Sequence, residues 1–247
     1  MSMTETSQPD APRLAFHKTE GEGPVIIFLP GYASDMEGSK ATSLEQWARD
    51  AGRSYIRFDY SGCGQSEGES EDRSLADWRD DVLSVIDELA DGPVVLVGSS
   101  MGGWLMLLAA KARPDRVAGL VGIAPAPDFT DWGFTPDQKM ELLNKGRLEE
   151  ASDYADEPMV TTRKFWSSGE ANRVMFGTIP ITCPVRLLQG QRDKEVPWER
   201  APRLAQLLAG DNVQVTLVKD GDHRLSKDRD LARLTSVLEA LIERVGG

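Results

Sequence analysis

Histidine and cysteine are scarce. Among 247 residues the chain has two of each, His17 and His223, Cys63 and Cys183. A structural Cys/His zinc site takes four grouped ligands, and these four stand singly along the sequence, which excludes a site of that type. Long apolar stretches are missing as well. The longest uninterrupted run, Trp104 to Ala110, falls far short of the about 20 residues a bilayer-crossing helix needs, so no membrane span is expected. Cations are in deficit: 28 Lys plus Arg face 40 Asp plus Glu, a net charge of −12 that repels polyanions and excludes nucleic acid and anionic membrane as expected partners. The polar stretch Met1 to Pro12 has neither the apolar core of a secretory signal nor the Arg-rich amphipathicity of a transit peptide. It reads as a loose tail on a cytoplasmic protein whose two cysteines are free thiols.

What remains is the composition and length of one globular domain, residues 13–247. Short apolar runs alternate with longer helical patterns, the signature of an α/β fold with a mostly parallel sheet and helices on both faces. Core strands are expected at Val25 to Leu29, Tyr55 to Phe58, Val94 to Val97, Val117 to Ile123, Val185 to Gln189 and Val213 to Val218, after a weaker opening strand at Arg13 to Lys18. Helical spacing marks Thr42 to Ala51, Leu75 to Ala90, Met101 to Arg113, Trp198 to Leu208 and Lys227 to Val245. The alternation breaks once. From about 126 to 182 no strong strand is evident, and two short amphipathic helices are expected, at Asp137 to Lys145 and Thr162 to Ala171. Phe129, Trp132 and Phe165 are among its aromatics, which suit a small helical cap over an acyl pocket, or equally the packing that fastens the insertion to the sheet.

Gly98-Ser99-Ser100-Met101-Gly102 follows an apolar strand and opens an apolar helix. In a strand-to-helix turn this tight the residues two before and two after the exposed serine must be small. Gly98 and Gly102 meet that condition for Ser100, whereas Ser99 would be flanked by Val97 and Met101. A serine hydroxyl needs a base to take its proton. His17 lies upstream in the edge-like opening strand, and His223 lies in the loop after the last strand, so His223 is the expected base. Asp193, the first carboxylate beyond the strand ending at Gln189, is the acid expected to orient it, with Asp128 in reserve. The oxyanion donors are expected to be the N–H of Met101 and that of Tyr32 in the Pro30-Gly31-Tyr32 turn, with Ala33 as the neighbouring choice. The turn from Asp59 to Ser66 lacks the spacing and lysine of a P-loop and reads as structural.

The order Ser100, Asp193, His223 resembles that of the α/β-hydrolases, over about Pro24 to Leu241. Phe28-Leu29-Pro30-Gly31-Tyr32, Arg57-Phe58-Asp59-Tyr60-Ser61-Gly62, Val97 to Met106, Cys183-Pro184-Val185-Arg186-Leu187-Leu188, Val196-Pro197-Trp198 and Asp222-His223-Arg224 narrow the resemblance. They are similar to the family of the mitochondrial palmitoyl-protein thioesterase, also described as an acyl-glucuronide esterase. The resemblance implies the same triad, Ser100, Asp193 and His223. It is weakest from Asp128 to Thr178, the part that would shape the acyl pocket.

The expectation is therefore a cofactor-free serine hydrolase cleaving carboxylic esters or thioesters through an acyl-enzyme. Long-chain acyl thioesters and acyl glucuronides are its candidate substrates. Its partners would be a small-molecule ester or thioester, or an acylated protein; Arg163, Lys164 and Arg173 are the available anchors for a polar acyl group. The competing readings are a peptidase on the same fold and a ligand-binding protein with little turnover.

Overall fold

A computed structural model describes residues 12–151 and 158–246. Among them, a seven-stranded sheet runs in the order β1 (Phe16–Thr19), β3 (Arg53–Phe58), β2 (Glu22–Leu29), β4 (Val94–Ser99), β5 (Val117–Ile123), β8 (Val185–Gly190) and β9 (Val213–Val218). Only β1 is antiparallel to its neighbour; the other pairings are parallel. This is the mostly parallel α/β sheet with helices on both faces that the sequence predicts.

Both faces of the central strands are buried, and alternate residues serve opposite layers. Ile27, Leu29 and Leu96 pack with α2 (Leu75–Ser84), α3 (Met101–Ala112) and α7 (Arg200–Leu207). Ile26, Phe28, Val95 and Val97 pack instead with α1 (Ser39–Asp50) and α8 (Asp228–Val245). The central α3 is apolar all round and is buried from Met101 to Ala110, so its position under the sheet is fixed by area removed from water. α2 begins at a capping box, with Ser74 and Asp77 bonding each other's backbone N–H. It then widens into a π-helical turn, Val85–Leu89, where the sequence pattern predicts one continuous helix.

The segment between β5 and β8 carries α4 (Phe129–Trp132), α5 (Pro136–Lys145), β6 (Arg147–Glu150), β7 (Met159–Thr162) and α6 (Arg163–Ala171). The two helices anticipated here are present as α5 and α6. The antiparallel β6–β7 pair was not anticipated. Each strand has four residues and buries little, chiefly Leu148 and Thr161, which face each other across the ladder, so hydropathy alternation has almost nothing to register.

Strain is concentrated on one side of the sheet. Among the described residues, the non-glycine positions with positive φ are Ala33, Ser100, Ala124, Asp128 and Leu225. All lie on loops after the carboxyl ends of β2, β4, β5 or β9. Strained backbone persists where surrounding structure over-determines it, and ligands of open α/β sheets bind at that same edge.

Candidate active site

Ser100 sits between β4 and α3 with φ 54° and ψ −116°. Its N–H donates to Ile123 O at 2.9 Å, and its carbonyl accepts from Gly103 at 2.9 Å and Ala126 at 3.0 Å, so the strained turn is held by β5 and by its own helix. The two small residues are obligatory in space. A Cβ on Gly98 would lie 2.3 Å from Gly102 O, and one on Gly102 would lie 2.1 Å from Leu29 O. Ser99 belongs to β4 and is only 7% exposed, leaving Ser100 as the serine that faces outward.

Nε2 of His223 is 3.2 Å from Ser100 Oγ, and its Nδ1 is 2.9 Å from Asp193 Oδ2. Asp193 accepts four hydrogen bonds. Besides the ring, Oδ2 takes one from Gln189 Nε2 at 2.9 Å, while Oδ1 takes those of Glu195 N at 2.9 Å and Val196 N at 2.8 Å. Burial pushes this carboxyl up. The hydrogen bond and charge of His223 and the two backbone donors outweigh it, so Asp193 stays below the usual carboxylate range. An ionised, acceptor-only Asp193 requires the ring proton on Nδ1, which leaves the Nε2 lone pair toward Ser100. The loops meet because Gly190 has no side chain: a Cβ there would be 2.4 Å from Gly221 O.

Met101 is the first residue of α3, and its N–H stands at the positive end of that helix. The Gly31 turn touches Ser100 from the other side, a Cβ on Gly31 falling 3.3 Å from Ser100 Cβ. Tyr32, next in sequence, turns its ring into an aromatic cluster with Phe165 at 4.8 Å, Trp78 at 5.9 Å and Phe129 at 6.0 Å between centroids. Its hydroxyl donates to Val160 O of β7 at 2.7 Å. Burial pushes the phenol up to about 12, so it keeps its proton.

The aromatics expected in the cap separate. Phe129 and Phe165 share the Tyr32 cluster at 5.8 Å from each other, whereas Trp132 lies apart, its ring under Arg200 at 4.5 Å and its indole N–H on Pro127 O at 2.9 Å. A cavity of about 380 Å³ opens beside the 32–35 turn, lined by Tyr32, Asp35, Cys63, Glu71, Trp78 and Phe165 among others. Its lining does not include Ser100, His223, Phe129 or Trp132. Arg173 pairs with Asp131 at 2.8 Å, Lys164 with Asp77 at 3.3 Å, and Arg163 donates to Leu143 O at 3.0 Å. The reserve acid, Asp128, is buried away from His223 and accepts the N–H groups of Val174 and Met175, both at 2.8 Å. His17 lies on edge strand β1, 3.7 Å from Glu37.

Three further polar residues shape the site. Gln189 is fully buried at the end of an apolar strand, a signal in itself, since a buried amide must hold something. Asp59 is buried just past β3 and accepts Met36 N at 2.7 Å and Gln65 N at 2.8 Å, which fixes the loop that follows Tyr32 and confirms the 59–66 turn as structural. Glu195 places Oε2 3.4 Å from His223 Nε2, and nothing in its sequence position announces that.

The alpha/beta hydrolase fold family matches residues 24–157. The human mitochondrial palmitoyl-protein thioesterase ABHD10 is 42% identical over 99% of this chain and 81% of its own length. The chain belongs to the α/β-hydrolase family. Within it the chain shares the family of that thioesterase. The structure of mouse alpha/beta hydrolase domain-containing protein 10 superposes with a TM-score of 0.92 at 40% identity, covering 99% of both chains. A putative hydrolase from Agrobacterium vitis S4 superposes at 0.89 with 41% identity over 96% of both.

One expectation is corrected by these relatives. The cytoplasmic assignment rested on the polar residues 1–12, and the human α/β-hydrolase matching nearly all of this chain is named as mitochondrial. Cellular address is read by receptors from short segments and does not follow from the polarity of a tail. Residues 1–11 of that tail lie outside the described residues. No helix among the described residues is long and apolar enough to cross a membrane.

Proposed function

We propose that this α/β-hydrolase cleaves carboxylic thioesters and esters through an acyl-enzyme on Ser100, with long-chain acyl thioesters as its preferred class. The observation that carries the proposal is the unbroken line Ser100 Oγ, His223 Nε2, His223 Nδ1, Asp193 Oδ2, with contacts of 3.2 and 2.9 Å. His223 takes the Ser100 proton as Oγ attacks the acyl carbonyl, and Asp193 stabilises the imidazolium that forms. The carbonyl oxygen, now negative, is received by the N–H groups of Met101 and Tyr32. The imidazolium gives its proton to the departing thiol or alcohol. Water, deprotonated by the same nitrogen, then releases the acid and restores Ser100. The sequence draws on no group beyond the chain and water.

The name of the human relative supports a thioester as substrate. The insertion between β5 and β8 supports a long acyl group: it lays Phe129 and Phe165 against Tyr32, and each methylene buried there adds up to about 0.8 kcal/mol. In this reading residues 126–182 form the cap of a single 13–247 domain. The test is a side-by-side panel of p-nitrophenyl esters from acetyl to long chain and a palmitoyl thioester, with wild type and Ser100→Ala. The reading predicts kcat/KM rising with chain length until the pocket is full, extension to the thioester, and loss of all turnover in the variant. Fastest cleavage of acetyl esters, or turnover that survives in Ser100→Ala, would overturn it.

A further inference from the structure

Gln189 is the last side chain of β8 before the loop that carries Asp193, and it is fully buried. Its Nε2 faces three oxygens: Asp193 Oδ2 at 2.9 Å, the carbonyl of Gly190 at 3.3 Å and that of Val196 at 3.5 Å. All three are acceptors, so the nitrogen of the amide and not its oxygen must point there. The other half of the amide has no such use. Oε1 is buried without a hydrogen-bond partner among the described residues. A buried orphan acceptor destabilises a fold, and an apolar side chain of the same length would avoid it. What the amide contributes is the donor on Nε2.

That donor reaches the oxygen that holds the His223 ring. Asp193 Oδ1 is bound by the N–H groups of Glu195 and Val196, which belong to its own turn and move with it. Oδ2 is bound by Gln189, from a strand in the core, and by His223, the group it has to orient. Without Nε2 the carboxylate could pivot about Oδ1, and Oδ2 would leave its line to Nδ1. The carbonyls of Gly190 and Val196 flank that turn, so the same side chain ties it to the sheet.

We propose that Gln189 is a positioning residue for the acid: its Nε2 fixes the direction in which Asp193 Oδ2 meets His223 Nδ1, and so the aim of the imidazole at Ser100. It acts through Asp193 and touches no reacting atom. The proposal rests on the Ser100, His223, Asp193 reading above and deepens it.

The experiment is a double-mutant cycle read with p-nitrophenyl butyrate. Gln189→Met keeps the length and removes the donor; it should lower kcat by about 10- to 100-fold, with KM changed by less than about 2-fold and cooperative unfolding in urea retained. In an Asp193→Asn background, where the tautomer is already lost, the same substitution should change kcat by less than about 2-fold. Gln189→His, whose ring can bring an N–H to a similar reach, should recover most of the activity. Gln189→Asn, polar but one methylene short, should not, and it replaces the Met variant in the cycle if that one fails to fold. Wild-type kcat in the Met and Asn variants, a His variant no faster than they are, or an equal loss in both backgrounds overturns the proposal, since a side chain that only packs would act alike with and without the carboxylate. Wild-type turnover in Asp193→Asn alone would instead overturn the assignment of the acid, and turnover surviving in Ser100→Ala that of the nucleophile, so the failures are distinguishable.

Discussion

Gly102 and Leu29 touch through bare backbone: a Cβ on Gly102 would come within 2.1 Å of the Leu29 carbonyl oxygen. This contact fixes how closely the start of α3 approaches the end of β2, and so the gap between the two proposed oxyanion donors. Gly102→Ala must push the strand and helix apart. It should cost about 1–3 kcal/mol of stability by overpacking and a larger share of activity than of fold. Urea unfolding read beside fluorophosphonate labelling of the same samples checks this; a variant as stable and as reactive as wild type would refute it.

The two adjacent serines should behave very differently. Ser100→Ala should abolish fluorophosphonate labelling and lower ester hydrolysis by a factor on the order of 10³ to 10⁶. Ser99, buried in β4, should tolerate alanine with a mild loss.

His223→Ala should abolish ester turnover, whereas His17→Ala should leave kcat/KM unchanged. In stability, Asp193 has a folded pKa below its unfolded one, so its contribution is complete above about pH 4 and is lost as pH falls through the folded value. Asp193→Asn should therefore flatten the acid side of the stability curve while cutting kcat by about 10⁴, as loss of the correct tautomer does in other triads. Unfolding midpoints and initial rates from pH 3 to 8 test both.

Asp81 should show the opposite sign. Burial pushes it up to about 6, although Ser61 N and Oγ both donate to it at 2.8 Å. Stability carried by its neutral form is present below about pH 4 and lost as pH rises through 6. Asp81→Asn should thus gain on wild type between pH 5 and 7.5 in urea midpoint, and a constant difference across that range would count against the assignment.

Within the aromatic cluster, Phe165→Ala should cost about 3–5 kcal/mol, since the ring is 2% exposed and packs on Tyr32 and Trp78. Trp132→Ala should cost much less and leave the chain-length profile nearly intact, because that ring meets Arg200 rather than the cluster. Thermal unfolding and the ester panel separate the two.

The sheet was legible because its central strands are buried on both faces and its strands are bounded by turn residues; β5 and β9 begin and end where the apolar pattern does. Ser100 was legible because its constraint is local, two glycines at fixed spacing, and His223 because only two histidines had to be weighed. Asp193 followed from chain order. Glu195 was beyond reach, since its approach to His223 depends on how the loops after β8 and β9 fold over each other. The same holds for the Tyr32 side chain, whose partner is 128 residues away. Local periodicity carries nothing about such meetings.

That long-range partner is the main-chain oxygen of Val160, not its side chain. Substitution at 160 can therefore proceed with the tether intact, while position 32 is held to a phenol by a bond whose acceptor every amino acid supplies. The segment between β5 and β8 can therefore change its side chains around that anchor while the 31–32 turn beside Ser100 stays as it is.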